Sequence, residues 1–133
     1  MTDIESQVFT RVSDVLTANF QGITVKSELE LSPSKFPSVS LEEADNYSLT
    51  STATTSSTDN HQVVMYELNV LSNKSSGRKS EAKKIFSMAD EVLVGLGFTR
   101  LSRMPMPMND GTVYRYVGRY TAVVDNNQNI YRR

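Results

Sequence analysis

The residue types that most often carry out chemistry are scarce in this chain, and their placement is unfavourable. His61 is the single histidine, it stands in a polar stretch, and the chain has no cysteine. Zinc and other transition metals are bound mainly through cysteine and histidine, so a chain with no cysteine and no second histidine has no plausible ligand set for them. A Ser-His-Asp triad would take its base from a polar loop, whereas catalysis needs a preorganised base. We therefore expect no metal centre, no catalytic residue and no cofactor.

Carboxylates are the second chemical candidate. Glu42, Glu43 and Asp45 lie together and could bind Mg²⁺, although a solvated strand end explains them more simply. Metal-dependent nucleases of the restriction-enzyme type place an acidic residue in one strand and an acid-x-lysine pair in the next. Glu67 lies in a suitable strand, but Asn69 stands where the lysine is needed. The pattern therefore argues against a nuclease.

Residues 75–80 superficially match a phosphate-binding loop before a helix. The P-loop pattern needs an earlier glycine and then Gly-Lys-Ser/Thr, but that glycine is missing and Arg78 separates Gly77 from Lys79. We exclude a nucleotide site here. Cations at a helix start oppose the helix dipole, which indicates either a contact surface or a solubilising patch. The cations of this segment are Arg78, Lys79, Lys83 and Lys84.

Two amphipathic helices are predicted from apolar residues at helical spacing. The first has its apolar stripe over residues 4–16 and should end near residues 19–22, and Thr2 and Glu5 at its start have the spacing of a capping box. The second has its apolar stripe over residues 82–96 and should end at Gly97. Each helix should bury one stripe against the rest of the domain.

The remaining periodic segments alternate apolar and polar residues, as half-buried strands do. The methionine-containing segment carries Pro105 and Pro107, which lack N–H donors, so we expect an edge strand there. Together with the helices, the strands predict an α+β domain: a mostly antiparallel sheet with two helices packed on one face. The predicted strands cover residues 23–31, 38–42, 62–73, 98–108 and 112–124, with a hairpin turn at 109–111.

Composition predicts one globular domain over residues 1–133. The chain is 38% hydrophobic and 22% charged, and its net charge of -1 gives no electrostatic reason to expect a nucleic-acid binder. The acidic N-terminus lacks the apolar region of a signal peptide, and no apolar run reaches the roughly 20 residues of a membrane helix. We therefore expect synthesis in the cytoplasm and no membrane partner.

Two segments have unusual compositions. Residues 47–61 are rich in serine and threonine and should form an exposed arm, and residues 125–133 should form a polar tail. Methionines alternate with prolines on the predicted edge strand, which leaves core packing and a subunit interface equally open. The candidate contact residues are Tyr47, Leu49, His61, Arg78, Lys79, Lys83, Met104, Met106, Met108, Arg115 and Arg119.

Several runs of the sequence, in this order and spacing, resemble small tail-completion proteins, the tail terminators of long-tailed, siphovirus-like bacteriophages and related prophages. The similarity extends from the first helix to the tyrosine-rich last strand, and none of its pieces is a catalytic signature. The runs are residues 36–46, 64–74, 77–83, 89–91 and 96–100.

The resemblance implies a structural virion protein at the head–tail junction, made in the cytoplasm of the host bacterium. It implies a ring, usually of six subunits, that stops growth of the tail tube and contacts both the tube protein and a head-completion protein. DNA would pass through the lumen without specific binding, and Glu42, Glu43 and Asp45 are candidate lumen-facing acids. Two alternatives remain: another head–tail connector, such as a stopper or adaptor, or a small phage nuclease or nucleic-acid-binding protein.

Overall fold

The computed structural model describes residues 4–30, 33–48, 61–125 and 130–131. Two helices and six strands alternate along this part of the chain. In chain order they are α1 (Glu5–Asn19), β1 (Thr24–Lys26), β2 (Ser38–Ser48), β3 (His61–Ser72), α2 (Arg78–Leu96), β4 (Thr99–Met106), β5 (Tyr114–Asp125) and β6 (Ile130–Tyr131).

The strands form one sheet in the order β1-β2-β3-β5-β4, with β6 beside β5. β1 runs parallel to β2, and the other pairings among the described strands are antiparallel. Both helices contribute to a single core on one face of this sheet. The predicted α+β class is confirmed, and so is the edge position of the proline-containing strand, β4.

The core follows from the periodicities of the sequence. Val64, Tyr66 and Leu68 alternate along β3 and are fully buried, while Val12 of α1 and Phe86 of α2 are buried above them. Burying a side chain of this size contributes about 1.5 to 3 kcal/mol to folding. α2 contacts β3, β5 and β4, whereas α1 contacts α2, β1 and β2. α2 ends at Gly97, as predicted, with a left-handed φ of 113°.

The lengths of the first two strands differ from the prediction. β1 covers only Thr24–Lys26, whereas β2 extends over Ser38–Ser48, because β2 pairs along nearly all of its length with β3. The chain leaves the sheet after Lys26, and the backbone N–H of Leu29 donates to the carboxylate of Glu42 instead of to a strand. Pairing with a long neighbour, which local alternation does not encode, decides how far each strand extends.

Both ends of the chain also depart from the prediction. The first helix begins at Glu5 with Ile4 as its N-cap residue and without a side-chain cap, and the Glu5 carboxylate accepts the N–H of Glu43 at 2.8 Å. Thr2, the other member of the predicted capping box, lies outside the described residues. Within the predicted polar tail, Ile130–Tyr131 pairs with β5, because Ile130 packs against the core.

The predicted arm lies only partly within the description. Tyr47 and the backbone of His61 belong to β2 and β3, so the strands extend into both of its flanks. Residues 49–60, including Leu49, lie outside the described residues. In the described segments, neither helix is both long and apolar enough to span a membrane.

Candidate functional site

The sheet face opposite the helices, here called the open face, gathers several of the predicted site residues. Directly paired residues of neighbouring strands share a face, so the register identifies its members. Glu42 of β2 pairs with Glu67 of β3, and Glu67 pairs with Arg119 of β5. One charged row therefore crosses the middle of the open face.

Hydrogen bonds and an ion pair hold the arginines of the open face. Arg119 Nη2 lies 3.3 Å from Glu67 Oε2, and Asn69 Nδ2 donates to Glu67 Oε1 at 3.0 Å. Arg115 Nε donates to Asn69 Oδ1 at 2.8 Å, and Asn69 is fully buried. Asn69, which stands where a nuclease would need lysine, therefore positions an arginine. Arg115 and Arg119 lie on a surface that could meet a partner, with their polar groups already oriented.

Glu42 is the electrostatically unfavourable member of the row. Partial burial raises the pKa of its carboxyl group most, and Glu67, Glu28 and Glu5 raise it further, while the N–H of Leu29 lowers it. Carboxylates in direct cross-strand positions repel each other. Ionised Glu42 therefore lowers the stability of the isolated chain.

Replacing Glu42 by glutamine should stabilise the chain at neutral pH. The pKa of Glu42 is higher in the folded than in the unfolded chain, so the destabilisation is fully present above the folded-state pKa and disappears below the unfolded one. Urea unfolding should show a gain of a few tenths to about 1 kcal/mol at pH 7 and no gain near about pH 3.5. Glutamine keeps an acceptor for Leu29, and Glu91→Gln on the exposed side of α2 is the control. A loss of stability at pH 7 would show that the carboxylate is favourable.

The three predicted lumen acids do not form one cluster. Glu42 pairs with Glu67 on the open face, whereas Glu43 pairs with buried Tyr66 on the helix side, and the register shifts between Glu43 and Asp45. Glu43 Oε1 accepts the Asn46 side-chain amide at 3.3 Å. No group of three histidine or acidic residues that could hold a metal occurs in the described ranges.

The methionines of β4 face solvent. Met104 is 51% exposed and Met106 is 36% exposed, and the neighbouring Leu101 is 54% exposed. They lie on an edge strand none of whose residues is buried. Core packing, one of the two alternatives for these methionines, is therefore wrong for Met104 and Met106. Met108 lies beyond the strand end, half-buried, beside a cavity that is also lined by Pro33 and Phe36.

The basic start of α2 makes contacts within the chain. Arg78 Nη2 donates to the carbonyl of Gly111 in the β4–β5 turn at 3.4 Å, and Lys83 Nζ lies 5.8 Å from the centre of the Tyr116 ring. Lys79 is exposed. Arg78 and Lys83 thus connect α2 to the hairpin that β4 and β5 form, and Lys79 points to solvent.

A hydrogen-bonded link between α2 and the hairpin was not predicted. The hydroxyl of Tyr120 donates to Asp90 Oδ1 at 2.6 Å, and Arg100 Nη1 lies 3.1 Å from Asp90 Oδ2. Burial first, and then the hydrogen bond to Asp90, raise the pKa of Tyr120 far above its usual value, so the phenol remains a donor. The sequence feature that could have predicted this link is a tyrosine on an apolar stripe, since a buried hydroxyl needs a hydrogen-bond partner. The link holds β4, through Arg100, against the helix.

A weak structural similarity relates this chain to a known protein. No family model matches the chain, and no curated protein matches it. Among solved structures, the chain is similar to the sheath/tube terminator of a PVC extracellular contractile injection system in its extended state, with a TM-score of 0.42 and 15% identity. The match covers 100% of this chain and 60% of that chain, so this chain spans less than two thirds of the neighbour's length. A similarity of this size does not establish a common function.

Proposed function

We propose that this chain is a non-enzymatic structural subunit of a phage-type tail, a terminator that caps the head-proximal end of the tail tube. The observation that carries the proposal is β4, an eight-residue edge strand on which Leu101, Met104 and Met106 are exposed. Unpaired edges and exposed apolar side chains are features of surfaces that meet other chains. The resemblance of the sequence to tail-completion proteins indicates which assembly this surface would serve.

The finer features of the proposal come from the same resemblance. A ring, usually of six subunits, would contact the tube protein on one side and a head-completion protein on the other. The open face suits a channel wall, because Arg119 is paired with Glu67 and Arg115 with Asn69, while Glu42 keeps a carboxylate that DNA would not bind. A wall of this kind would let DNA pass without holding it.

Native mass at high protein concentration, with negative-stain images of the same sample, tests the proposal. We expect closed rings, and we expect the chain to limit the length of tubes assembled from the tail-tube protein of the same phage. If the chain forms rings that leave tube length unchanged but bind a head-completion protein, its role is that of another head–tail connector and not of a terminator. Mg²⁺-dependent cleavage of plasmid DNA would contradict a non-enzymatic role.

A matched pair of variants identifies the contact surface in that assay. Met104→Asp with Met106→Asp should reduce ring formation by about tenfold or more, because two charges would replace apolar contacts on β4. Val94→Asp is the control, since Val94 is 49% exposed but belongs to α2 and not to β4. If ring formation fell equally in both variants, the effect would be one of solubility or folding and not of the contact surface.

A further inference from the structure

A cavity of about 450 Å³ lies beside the turn that joins β4 and β5. Arg115 is the cation among its lining residues, which also include Asn109 and Asp110. Met106, an exposed residue of β4, is the direct cross-strand neighbour of Arg115. The cavity therefore continues the surface on which the proposed function places contacts between chains. Its apolar lining residues are Pro33, Phe36, Pro107, Met108 and Val113.

Arg115 is held in position and still has hydrogen-bonding capacity to spare. Its Nε donates to Asn69 Oδ1 at 2.8 Å, and fully buried Asn69 donates in turn to Glu67. Among the described residues, no carboxylate forms an ion pair with Arg115 and its two Nη groups have no acceptor. A guanidinium presents such groups as a fork that matches a carboxylate. The cavity therefore fits a ligand that carries a carboxylate next to an apolar group.

Asp110 lines the same cavity, but its carboxylate is engaged within the turn. Its Oδ1 accepts the Thr112 hydroxyl at 2.6 Å and the Thr112 N–H at 2.9 Å. These two hydrogen bonds, the hydroxyl first, lower the pKa of Asp110. Asp110 therefore stabilises its own turn and leaves Arg115 without an acidic partner.

Asp45 and Tyr47 carry the complementary groups. Both lie on the open face of β2, since Asp45 pairs with Met65 and Tyr47 with Val63. Tyr47 is 48% exposed, and Asp45, also exposed, uses Oδ1 to accept the N–H of Asn46 and forms no ion pair with a described residue. Alternate residues of a strand point to the same side about 7 Å apart. One carboxylate and one aromatic ring can therefore enter the same cavity together.

The other exposed apolar side chains match the cavity less well. Those on β4 have no carboxylate beside them, because β4 contains no acidic residue. Val94 lies one turn after Glu91 on α2, but a valine projects little from a helix surface. A tyrosine supplies a large, rigid contact area with a polar tip and is enriched at the centres of interfaces. The large exposed apolar residues in the described ranges are Tyr47, Val94, Leu101, Met104 and Met106.

We propose, as an inference that rests on the proposed function, that Asp45 and Tyr47 of one copy occupy the cavity of the next copy. The Asp45 carboxylate binds the Arg115 guanidinium, and the Tyr47 ring packs against the apolar lining. The two surfaces lie at opposite ends of the open face, since Tyr47 pairs with Val63 and Arg115 with Leu71 of β3. Contact between unlike surfaces is heterologous and produces a ring or an open filament. The charged row between them stays uncovered, as a channel wall requires.

Removal of the carboxylate and the ring tests the inference. Asp45→Lys with Tyr47→Ser should raise the protein concentration needed for assembly about tenfold or more, because the interface loses an ion pair and an aromatic anchor. Glu91→Lys with Val94→Ser is the matched control, since both of its residues are exposed on α2, and it should leave assembly unchanged. If the first variant is folded and assembles normally, or if the control loses as much, the inference is wrong.

Charge exchange identifies the group that Asp45 meets. Asp45→Arg alone and Arg115→Glu alone should each raise the concentration needed for assembly about tenfold, because each brings like charges together. Both changes in one chain should return assembly to within about threefold of the original, because every interface again joins opposite charges. Urea unfolding checks that Arg115→Glu is folded, since Arg115 also donates to Asn69. Failure to recover, with each single variant folded, would overturn the inference.

Cysteine placement gives a measurement that leaves Arg115 intact, because the chain has no cysteine of its own. Tyr47→Cys and Met108→Cys chains are mixed without other proteins, well above the concentration needed for assembly, since Tyr47→Cys removes part of the contact. A short bifunctional maleimide should crosslink the two variants to each other and neither one to itself. Self-crosslinking of either variant, or no mixed product, would overturn the inference.

The proposed function is judged separately, because tube length reports capping by the original chain. Capping without mixed crosslinks would reject the contact between Tyr47 and the cavity and would keep the terminator. Mixed crosslinks without capping would reject the terminator and would keep the contact. If Met108→Asp weakened capping while Asp45→Lys with Tyr47→Ser left rings and capping intact, the occupant of the cavity would be the tube protein, and the inference would be wrong.

Discussion

Replacing Gly118 by alanine is expected to lower the free energy of unfolding by about 1 to 3 kcal/mol. A Cβ at this position would lie 2.4 Å from Phe86 Cζ, 2.7 Å from Phe86 Cε2 and 3.2 Å from Tyr120 Cε1. The Phe86 ring is fully buried and packs edge-on against Tyr116 with a centroid distance of 4.8 Å, so it cannot retreat without displacing a neighbour. Chemical denaturation would measure the loss, and the melting temperature should fall by about 4 °C for each kcal/mol.

Two further variants test the cause of that loss. Phe86→Leu in the Gly118→Ala background should recover part of the stability, because it removes the end of the ring that the new methyl group meets. Gly95→Ala is the matched control, since a Cβ at Gly95, near the end of α2, meets nothing within 4 Å. It should stabilise the chain by about 0.4 to 1 kcal/mol. If Gly118→Ala were equally stabilising, the close approach of β5 and α2 would be disproved.

Replacing Asp90 by alanine should lower the free energy of unfolding by about 2 to 3 kcal/mol. The buried hydroxyl of Tyr120 would lose its acceptor at 2.6 Å, and Arg100 would lose its ion pair at 3.1 Å. The ion pair is partly exposed and contributes little, so most of the loss should come from the unsatisfied hydroxyl. Urea unfolding of the variant and of the original chain would measure this difference.

A double-mutant cycle with Tyr120→Phe tests that assignment. Without the hydroxyl, Asp90→Ala should be less destabilising than in the original chain by about 1 to 2 kcal/mol. Arg100→Gln provides the comparison for the ion pair and should cost no more than about 1 kcal/mol. Additive losses from Asp90→Ala and Tyr120→Phe would contradict the hydrogen-bonded link.

The Asp90 link also bears on assembly. It attaches α2 to Tyr120 of β5 and to Arg100 of β4, and β4 is the proposed contact strand. Loss of Asp90 should therefore loosen β4 as well as the core. The double variant Met104→Asp with Met106→Asp, by contrast, should change assembly without a comparable loss of stability, because both methionines are exposed.

The surfaces that the sequence suggested are separated in the folded chain. Arg115 and Arg119 lie on the open face, and Arg78 and Lys83 connect α2 to the hairpin. The other described candidates are distributed among β2, β3, α2, β4 and the segment after β4. Residue type identified candidate charged and apolar groups. It could not assign them to one face, because the register shift in β2 changes which side each later residue occupies.

The sequence by itself determined the features that depend on local periodicity. Apolar spacing located both helices, alternation located β3, and a glycine located the end of α2. The absence of cysteine and the single histidine also restricted metal chemistry before any fold was known. These features were predictable because each depends on residues a few positions apart.

Tertiary structure alone decided the features that join distant parts of the chain. The short β1 and long β2, the close approach of Phe86 to Gly118, and the bond from Tyr120 to Asp90 each join segments far apart in sequence. The same holds for the division of Glu42 and Glu43 between two faces of the sheet. Such contacts depend on register and on packing between elements, and local patterns in the sequence do not encode either one.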